Sequence, residues 1–258
     1  RPGCLRSTSA TRNRLVRYTD AAGSSIRYAY DAVGNILAIT YSDGQMVHYT
    51  YDALNRMTSV TDWGGRQTSY AYDAAGRLVT TQLPDSSRVT YNYDRASRLL
   101  GIDDSSRRGA TNFRTRYTLD PSGMRIAEDA VLPLEPPATE GDRAFAHDAA
   151  NQILSDDGVP FSYDADGNMI HGVVGRMPVD LTFDELNRLV SVGASSYEYD
   201  DDGLRVKATV NGKSIRYVQD ANSGLPRVLE EQDERGRIVA RYVYGIGLIS
   251  RHDRRDES

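Results

Sequence analysis

The chain has 258 residues, with 31 Lys and Arg against 36 Asp and Glu, and a formal net charge of −5. This mild acidity, with both signs interspersed, argues against a nucleic-acid partner, which needs a basic stripe to follow the phosphates. The single cysteine, Cys4, excludes an internal disulfide framework. The sequence has no run of about 18 apolar residues, so no membrane-spanning helix is predicted. Tyrosine dominates the aromatic residues, with 17 Tyr against 4 Phe and 1 Trp, which is typical of surfaces with one dry and one wet side.

The first predicted elements lie in residues 13–126, where a Tyr-Asp pair recurs every 21 residues. The pairs are Tyr30-Asp31, Tyr51-Asp52, Tyr72-Asp73 and Tyr93-Asp94. A fixed period of this length is typical of proteins in which one supersecondary unit stacks on the next. Residues 1–12 precede the first full period, and we interpret them as a degenerate or truncated repeat.

Each unit reads aromatic-x-aromatic-Asp-x-x-Gly-x-apolar, and every slot has a physical reason. The two aromatics are two residues apart, so on a strand they share one face. The Asp is expected to accept hydrogen bonds from the backbone N–H groups that follow it, as in an Asx turn. The slot four residues after the second aromatic holds types that mostly tolerate a left-handed backbone. These residues are Gly34, Asn55, Gly76, Ser97, Gly123, Asn151, Gly167, Asn187 and Gly203.

These features predict one β-hairpin for each unit. A tight turn follows the Asp, and a second strand starts at the apolar residues and ends at a turn signal such as Asp43-Gly44 or Asn211-Gly212. A lone hairpin of this size is marginal, so stability must come from neighbouring hairpins that pair edge to edge. The predicted fold class is all-β, with tandem antiparallel hairpins that add to one long coiling sheet.

Residues 127–143 break the period and contain Pro133, Pro136 and Pro137. Because proline cannot donate a hydrogen bond to a sheet, we interpret this segment as an excursion from the sheet. It is too short and too polar to predict a separate domain.

Irregularly spaced repeats return over residues 144–251, and residues 252–258 are interpreted as a polar tail. The clearest of these later units contain Tyr163, Asp164 and Gly167, and Tyr199, Asp200 and Gly203. Their template is the same as in the regular repeats, so the same hairpin is expected.

Residues that could carry chemistry are few. The string Asp164–Asn168 is rich in calcium-type ligands, but an EF-hand loop needs Glu at its last position, and Gly175 stands there. Turn chemistry is therefore favoured, and the four histidines lack metal-ligand spacing. No Ser or Cys nucleophile motif is present. The sequence predicts no catalytic residue, metal or cofactor, and exposed Arg and Asp are interpreted as a solvated surface with cross-strand charge pairs.

With these units, the chain resembles the RHS/YD-repeat family, which includes bacterial Rhs proteins, the C components of insecticidal toxin complexes and the teneurin YD shell. The stretch from Tyr72 to Leu78, Tyr-Asp-Ala-Ala-Gly-Arg-Leu, is close to the family's consensus unit, and the resemblance extends from Asn13 to Arg251. It implies repeats that form part of a spiralling hollow β-shell. In the bacterial members that shell encloses a C-terminal toxin polypeptide until delivery.

The resemblance also implies partners and a location. The chain would supply mid-wall repeats without the C-terminal RHS core, and its partners would be the remaining repeats and core of a longer chain and the enclosed toxin. A secreted or cell-surface protein is expected, with no enzyme activity of its own. An alternative remains open, in which the tyrosines and their Arg and Asp neighbours form a carbohydrate-binding or cell-surface adhesion module.

The self-cleavage element of the family contains the sequence Asp-Pro-x-Gly. Here Asp120-Pro121-Ser122-Gly123 matches it. Asp120 and Gly123, however, occupy the same template slots as Asp73 and Gly76, so a structural role is favoured over a catalytic one.

Overall fold

The computed structural model describes residues 14–132, 144–174, 177–222 and 224–254. Within these ranges the regular elements are 24 β-strands. They are β1 (Arg17–Thr19), β2 (Ser25–Tyr30), β3 (Ile36–Thr40), β4 (Met46–Tyr51), β5 (Met57–Thr61), β6 (Gln67–Tyr72), β7 (Leu78–Gln82), β8 (Arg88–Tyr93), β9 (Leu99–Ser105), β10 (Thr111–Leu119), β11 (Arg125–Val131), β12 (Phe145–His147), β13 (Ile153–Asp156), β14 (Val159–Pro160), β15 (Ser162–Tyr163), β16 (Met169–Val174), β17 (Met177–Phe183), β18 (Leu189–Val192), β19 (Ser195–Tyr199), β20 (Arg205–Val210), β21 (Lys213–Gln219), β22 (Val228–Gln232), β23 (Ile238–Tyr244) and β24 (Leu248–Asp253). Over the same ranges, no helix has the length and hydropathy needed to cross a membrane.

The strands follow one another in space in the order in which they occur in the chain. They form an 11-stranded sheet of β1–β11, a three-stranded sheet of β12–β14 and a ten-stranded sheet of β15–β24. Every pair of neighbours is antiparallel, as in the pairing of β2 with β3 and of β20 with β21. The predicted all-β fold of tandem hairpins is confirmed.

The expectation of one continuous sheet is wrong, because the ladder is interrupted around β14. This strand has only two residues, and Pro160 has no N–H to donate to a strand on its other side. The next residue, Phe161, donates its backbone N–H to the Leu154 carbonyl at 2.9 Å, in the same register as the pairing of β13 with β14. A new sheet then starts at Ser162.

Two predicted boundaries are also wrong. The segment 127–143 was expected to leave the sheet, but its first five residues belong to β11, which pairs with β10. The strand is exposed along its whole length, so polar residues such as Glu128 and Asp129 fit there without a burial cost. Residues 133–143, with the three prolines, lie outside the described residues, as do residues 1–13.

The predicted polar tail, 252–258, begins inside a strand. β24 continues to Asp253, and His252 is only 8% exposed because it packs on the ring of Trp63. Residues 255–258 lie outside the described residues.

The turns after the Asp residues share one geometry. In the second unit, Asn55 N donates to Asp52 O at 3.0 Å and Asp52 N donates to Arg56 O at 2.9 Å. The strand pairing shifts by one residue just before Tyr51, so each turn is a type I turn with a bulge. All nine residues in the left-handed slot have a positive φ, from 57° at Asn187 to 113° at Gly34.

The main core lies where the two large sheets meet face to face. The 11-stranded sheet contributes apolar residues such as Ile26 and Val47, and the ten-stranded sheet contributes Val218, Leu229 and Val243. Burial alternates along the strands, as in β4, where buried and exposed residues follow in turn. Each fully buried side chain of this kind stabilises the fold by about 1.5–3 kcal/mol. The hairpin array therefore coils back, so that β21–β24 cover one face of β2–β6.

Candidate functional site

The first tyrosine of the pair belongs to the core in the first three regular units, whereas Tyr91 and Tyr197 are half-buried. Tyr28, Tyr49 and Tyr70 are 5–8% exposed and lie on the inner face between the sheets. Burial raises the pKa of all three hydroxyls above the ordinary value. These rings are structural anchors that are shielded from solvent.

The second tyrosine connects one hairpin to the hairpin before it in five of the units. Its hydroxyl donates to the backbone carbonyl of the first apolar residue after the preceding turn, as Tyr72 does to Met57 O at 2.8 Å. The same bond joins Tyr30 to Leu15, Tyr93 to Leu78, Tyr163 to Ile153 and Tyr199 to Leu189, at 2.6–3.0 Å. The spacing of the aromatics correctly placed both rings on one face, but the different roles of the two were not predicted.

The Asp of each unit closes its own turn, as the sequence predicted. Asp73 Oδ1 accepts from the backbone N–H groups of Ala75 and Arg77, each at 3.0 Å. Its Oδ2 accepts from the Arg77 guanidinium, with Nε at 2.7 Å. The side-chain and backbone hydrogen bonds from Arg77 hold the pKa of Asp73 below its usual value. Asp52, Asp94, Asp184 and Asp233 have the same arrangement with Arg56, Arg98, Arg188 and Arg237.

The arginine that follows the left-handed slot extends the contact to the next unit. The Arg77 guanidinium lies over the ring of Tyr93, with its carbon 4.9 Å from the ring centroid, and Nη1 donates to Asp94 O at 2.8 Å. Arg188 makes the same two contacts with Tyr199 and Asp200, at 5.0 and 3.1 Å. We call this set of Asp, Arg and next-unit Tyr the hairpin interlock.

The sequence analysis missed the role of these arginines, which it assigned to a solvated surface. Their position was left as an unspecified slot in the template, although Arg56, Arg77, Arg98 and Arg188 all occupy it. That recurrence was the signal available. Ion pairing with the Asp, stacking on a tyrosine and donation to a carbonyl use the planar fork of the guanidinium, which lysine does not have.

A second form of interlock uses asparagine in the same slot. Asn35 Nδ2 donates to Asp31 Oδ2 at 2.7 Å and to Asn55 Oδ1 in the next unit at 2.9 Å. Asn168 makes the equivalent bonds to Asp164 and Asn187. Both side-chain oxygens of Asp164 thus accept hydrogen bonds from Asp166 and Asn168 in its own turn. Among the described residues, no group of three or more His, Cys, Asp or Glu side chains has the geometry of a metal site.

The Asp-Pro-Ser-Gly string forms one of these turns. Asp120 Oδ1 accepts from Ser122 Oγ at 2.6 Å and from Met124 N at 2.9 Å, and Gly123 has a φ of 92°. Arg98 Nη1 donates to the Asp120 carbonyl at 3.3 Å, as Arg77 Nη1 does to the Asp94 carbonyl in the hairpin interlock. The geometry matches that of Asp73 and Gly76.

Buried polar contacts join the two large sheets across the core. Tyr28 Oη donates to Asp220 Oδ1 at 2.7 Å, and Glu230, which is fully buried, accepts from Ser42 N at 2.7 Å and Ser42 Oγ at 2.6 Å. Further contacts of this polar seam are the ion pairs Asp43–Arg241 and Asp62–His252 and the ring contact Trp63–His252. The partners are about 190 positions apart in the chain, and no local pattern predicted them.

Together, these features define a tandem β-hairpin repeat protein in which side chains of each unit reach the next. The family model for the RHS repeat matches residues 11–46, 30–67, 64–88 and 72–111. The regular repeats within residues 11–111 are therefore RHS repeats. The later repeats, over residues 144–251, share the same turns and interlocks.

Similar solved structures come from toxin complexes. TcdB2-TccC3-TEV is 14% identical over 90% of this chain, with a TM-score of 0.49, and TcdB2-TccC3 without its hypervariable C-terminal region is 14% identical over 91%, with a TM-score of 0.48. A Photorhabdus luminescens Tc holotoxin pore is 14% identical over 91%, with a TM-score of 0.41. The chain spans 18% of each of these longer chains. A search of curated proteins finds no match.

Proposed function

We propose that this chain is a segment of shell wall in an RHS protein and that, in a longer parent chain, the wall encloses a C-terminal toxin polypeptide. The observation that carries the proposal is the coiling of the hairpin array. Hairpins follow in strict chain order, yet Tyr28 and Asp220, 192 positions apart, meet across the core. A wall that grows by one hairpin at a time and curves back on itself is suited to surround a volume.

The hairpin interlocks support a structural role. Each one fixes a unit to its neighbour with a ring contact and charge-assisted hydrogen bonds, which have no counterpart in a mobile binding loop. The proposal therefore assigns the chain no catalytic activity and no cofactor. Its partners are further repeats and the core of the parent chain, and a secreted or extracellular location follows from the toxin role.

The test is limited proteolysis of the longer parent protein. The polypeptide that follows the repeats is expected to resist cleavage in the intact protein and to be digested quickly when it is expressed alone. A control in mild denaturant, which loosens the wall, should restore cleavage. Equal digestion rates for the intact and the isolated polypeptide would rule out enclosure.

The carbohydrate-binding alternative requires aromatic faces that are open to solvent. Tyr28, Tyr49 and Tyr70 are buried, and second tyrosines such as Tyr72 and Tyr93 carry an arginine over the ring. These contacts favour the wall over a sugar platform built on the tyrosine pairs. Saturable binding of the purified chain to a glycan array would reverse the preference.

A further inference from the structure

A groove lies between the first turn of the chain and the hairpins of the ten-stranded sheet. Its main cavity has a volume of about 920 Å³ and is lined by Tyr18 and Asp20 on one side and by residues of β17–β21 on the other. Smaller cavities of about 560 and 240 Å³ adjoin it and share Arg216 and Gln219, respectively, with its walls. The main cavity alone is within the range of about 300–1,000 Å³ that is typical of ligand sites.

The groove is much more acidic than the protein as a whole. Ten carboxylate side chains line the three cavities, against three cationic ones, and a fourth cation, Arg237, binds one of the ten, Asp233, at 2.6 Å. The local excess is therefore six negative charges, compared with a net charge of −5 for the entire chain. The three cations are already paired inside the groove. Arg188 binds Asp184 at 2.7 Å, Lys207 binds Glu198 at 2.7 Å and Arg216 contacts Asp20 at 3.6 Å.

Several of the other carboxylates have no cationic partner. Glu185 and Asp201 are exposed on the wall and form no ion pair with any described residue. Asp200 Oδ1 accepts only from the backbone N–H groups of Asp202 and Leu204. The negative potential of this wall is thus not neutralised by the chain itself, and a concave surface of one sign concentrates ions of the opposite sign.

A buried acceptor in the same wall indicates that the ligand also donates hydrogen bonds. Gln219 is 8% exposed and lines both the main cavity and the smallest one. Its Nε2 donates to Arg205 O at 3.0 Å, whereas its Oε1 has no hydrogen-bond partner in the described part of the chain. A buried acceptor without a donor destabilises the fold, and a hydrogen-bond donor from a ligand would remove that cost.

Aromatic rings complete the site. Phe183, Tyr199 and Tyr217 lie in the wall with the carboxylates. Arg188 and Arg205 already lie over Tyr199 and Tyr217, so we expect a ligand to stack on Phe183. Within the repeats, the protein already holds guanidinium groups between a carboxylate and a tyrosine ring, as at Arg188 between Asp184 and Tyr199. A ring with a nearby carboxylate is a favourable environment for a cation that also donates hydrogen bonds.

We propose that the acidic groove binds an extended basic peptide segment through its arginine or lysine side chains. The volume accommodates a few residues, the excess of carboxylates selects cations, and Gln219 and Phe183 favour side chains that donate hydrogen bonds and stack. This inference concerns a surface of the folded chain and does not rest on the enclosure of a toxin.

The test uses the full 258-residue chain and a fluorescent peptide of alternating arginine and glycine. Binding is expected to saturate at low ionic strength and to weaken as salt is added. The variant Glu185→Gln/Asp201→Asn should bind on the order of tenfold more weakly, since two partly exposed ion pairs are lost. The control Asp104→Asn/Asp129→Asn removes the same charge from β9 and β11, far along the other sheet, and should bind like the wild type.

Four results would overturn the proposal. Three concern peptides: no saturable binding of the arginine peptide, equal affinity of the groove variant and the control variant for it, and equal affinity of the chain for a matched glutamate peptide. Full displacement by spermine at the same concentration as the peptide would show a site for small polyamines, which also contradicts a peptide site. None of these results affects the proteolysis test of the shell wall, so the two proposals can fail separately.

Discussion

At the scale of single residues, the two tyrosines of a pair look equivalent in the sequence but have different structural roles. The first ring fills the core, and the second gives its hydroxyl to a carbonyl of the previous hairpin, as at Tyr70 and Tyr72. Tyrosine suits both tasks because it combines a large apolar ring with a polar end that must find a partner when it is buried. Phenylalanine would satisfy only the first task.

The left-handed slot restricts the residue types that each turn accepts. Gly76 has a φ of 82°, and a Cβ built there would meet only Arg56 Nη1, at 3.6 Å, so the backbone rather than the space is limiting. Gly76→Val is expected to destabilise the fold by about 1–3 kcal/mol. Val79→Ala should be milder, because Val79 is only half-buried.

Urea unfolding measures both variants, and Gly76→Asn is the matched control. Asparagine occupies the same slot at Asn55 with a φ of 61°, so this variant should lose little stability. Equal stability of Gly76→Val and the wild type would mean that the turn is assigned wrongly.

At the scale of elements, the sequence predicted the hairpins well because period, turn residues and strand faces are local properties. Positions such as Asn55 and Gly76 follow directly from the backbone that a type I turn with a bulge requires. The end of the sheet near Pro160 was not predicted, since strand length depends on pairing partners. The interlock arginines were missed for a similar reason, because their partners lie in the next hairpin.

Acid should weaken the interlocks in a predictable direction. The pKa of Asp73 is lowered in the folded protein, first by the side-chain hydrogen bond from Arg77. A carboxyl with a lowered folded-state pKa contributes stability above its unfolded value, near about 3.9, and that contribution is lost as the pH falls through the folded value. The stability of the wild type should therefore decrease below about pH 4.

Asp73→Asn isolates the contribution of one unit. The variant should be less stable than the wild type at neutral pH, and the difference should shrink as the pH falls below about 4. Urea midpoints at a series of pH values measure it, with Asp129→Asn, an exposed carboxyl on β11, as the control. A difference that stays constant across this pH range would contradict the role of the ionised Asp73.

At the scale of the whole molecule, the polar seam decides how the array coils. Apolar contact between two sheets is tolerant of sliding, whereas hydrogen bonds between named atoms fix one alignment. Tyr28 with Asp220 and Ser42 with Glu230 fix the first hairpins against the last ones. The sequence predicted the repeats but not this alignment, because the partners belong to different units and follow no period.

Glu230 is the residue through which this alignment can be tested. Besides Ser42, it accepts from Gln232 Nε2 at 2.8 Å, so Glu230→Ala removes the acceptor of the buried Gln232 and of the Ser42 backbone N–H in the turn after β3. The expected loss is on the order of 3 kcal/mol. Glu231→Ala is the matched control in the same strand, because Glu231 faces the other side and bonds Tyr242 and Arg251; it should lose less than about 1 kcal/mol.

Amide hydrogen exchange gives a readout that a purely local defect would not change. The Ser42 backbone N–H donates to Glu230 Oε1 across 188 positions of sequence, so it should exchange much faster in Glu230→Ala than in Glu231→Ala. If Ser42 were equally protected in both variants, the two sheets would not be held together by the seam. The coiling that supports a shell wall would then have to come from the apolar core alone.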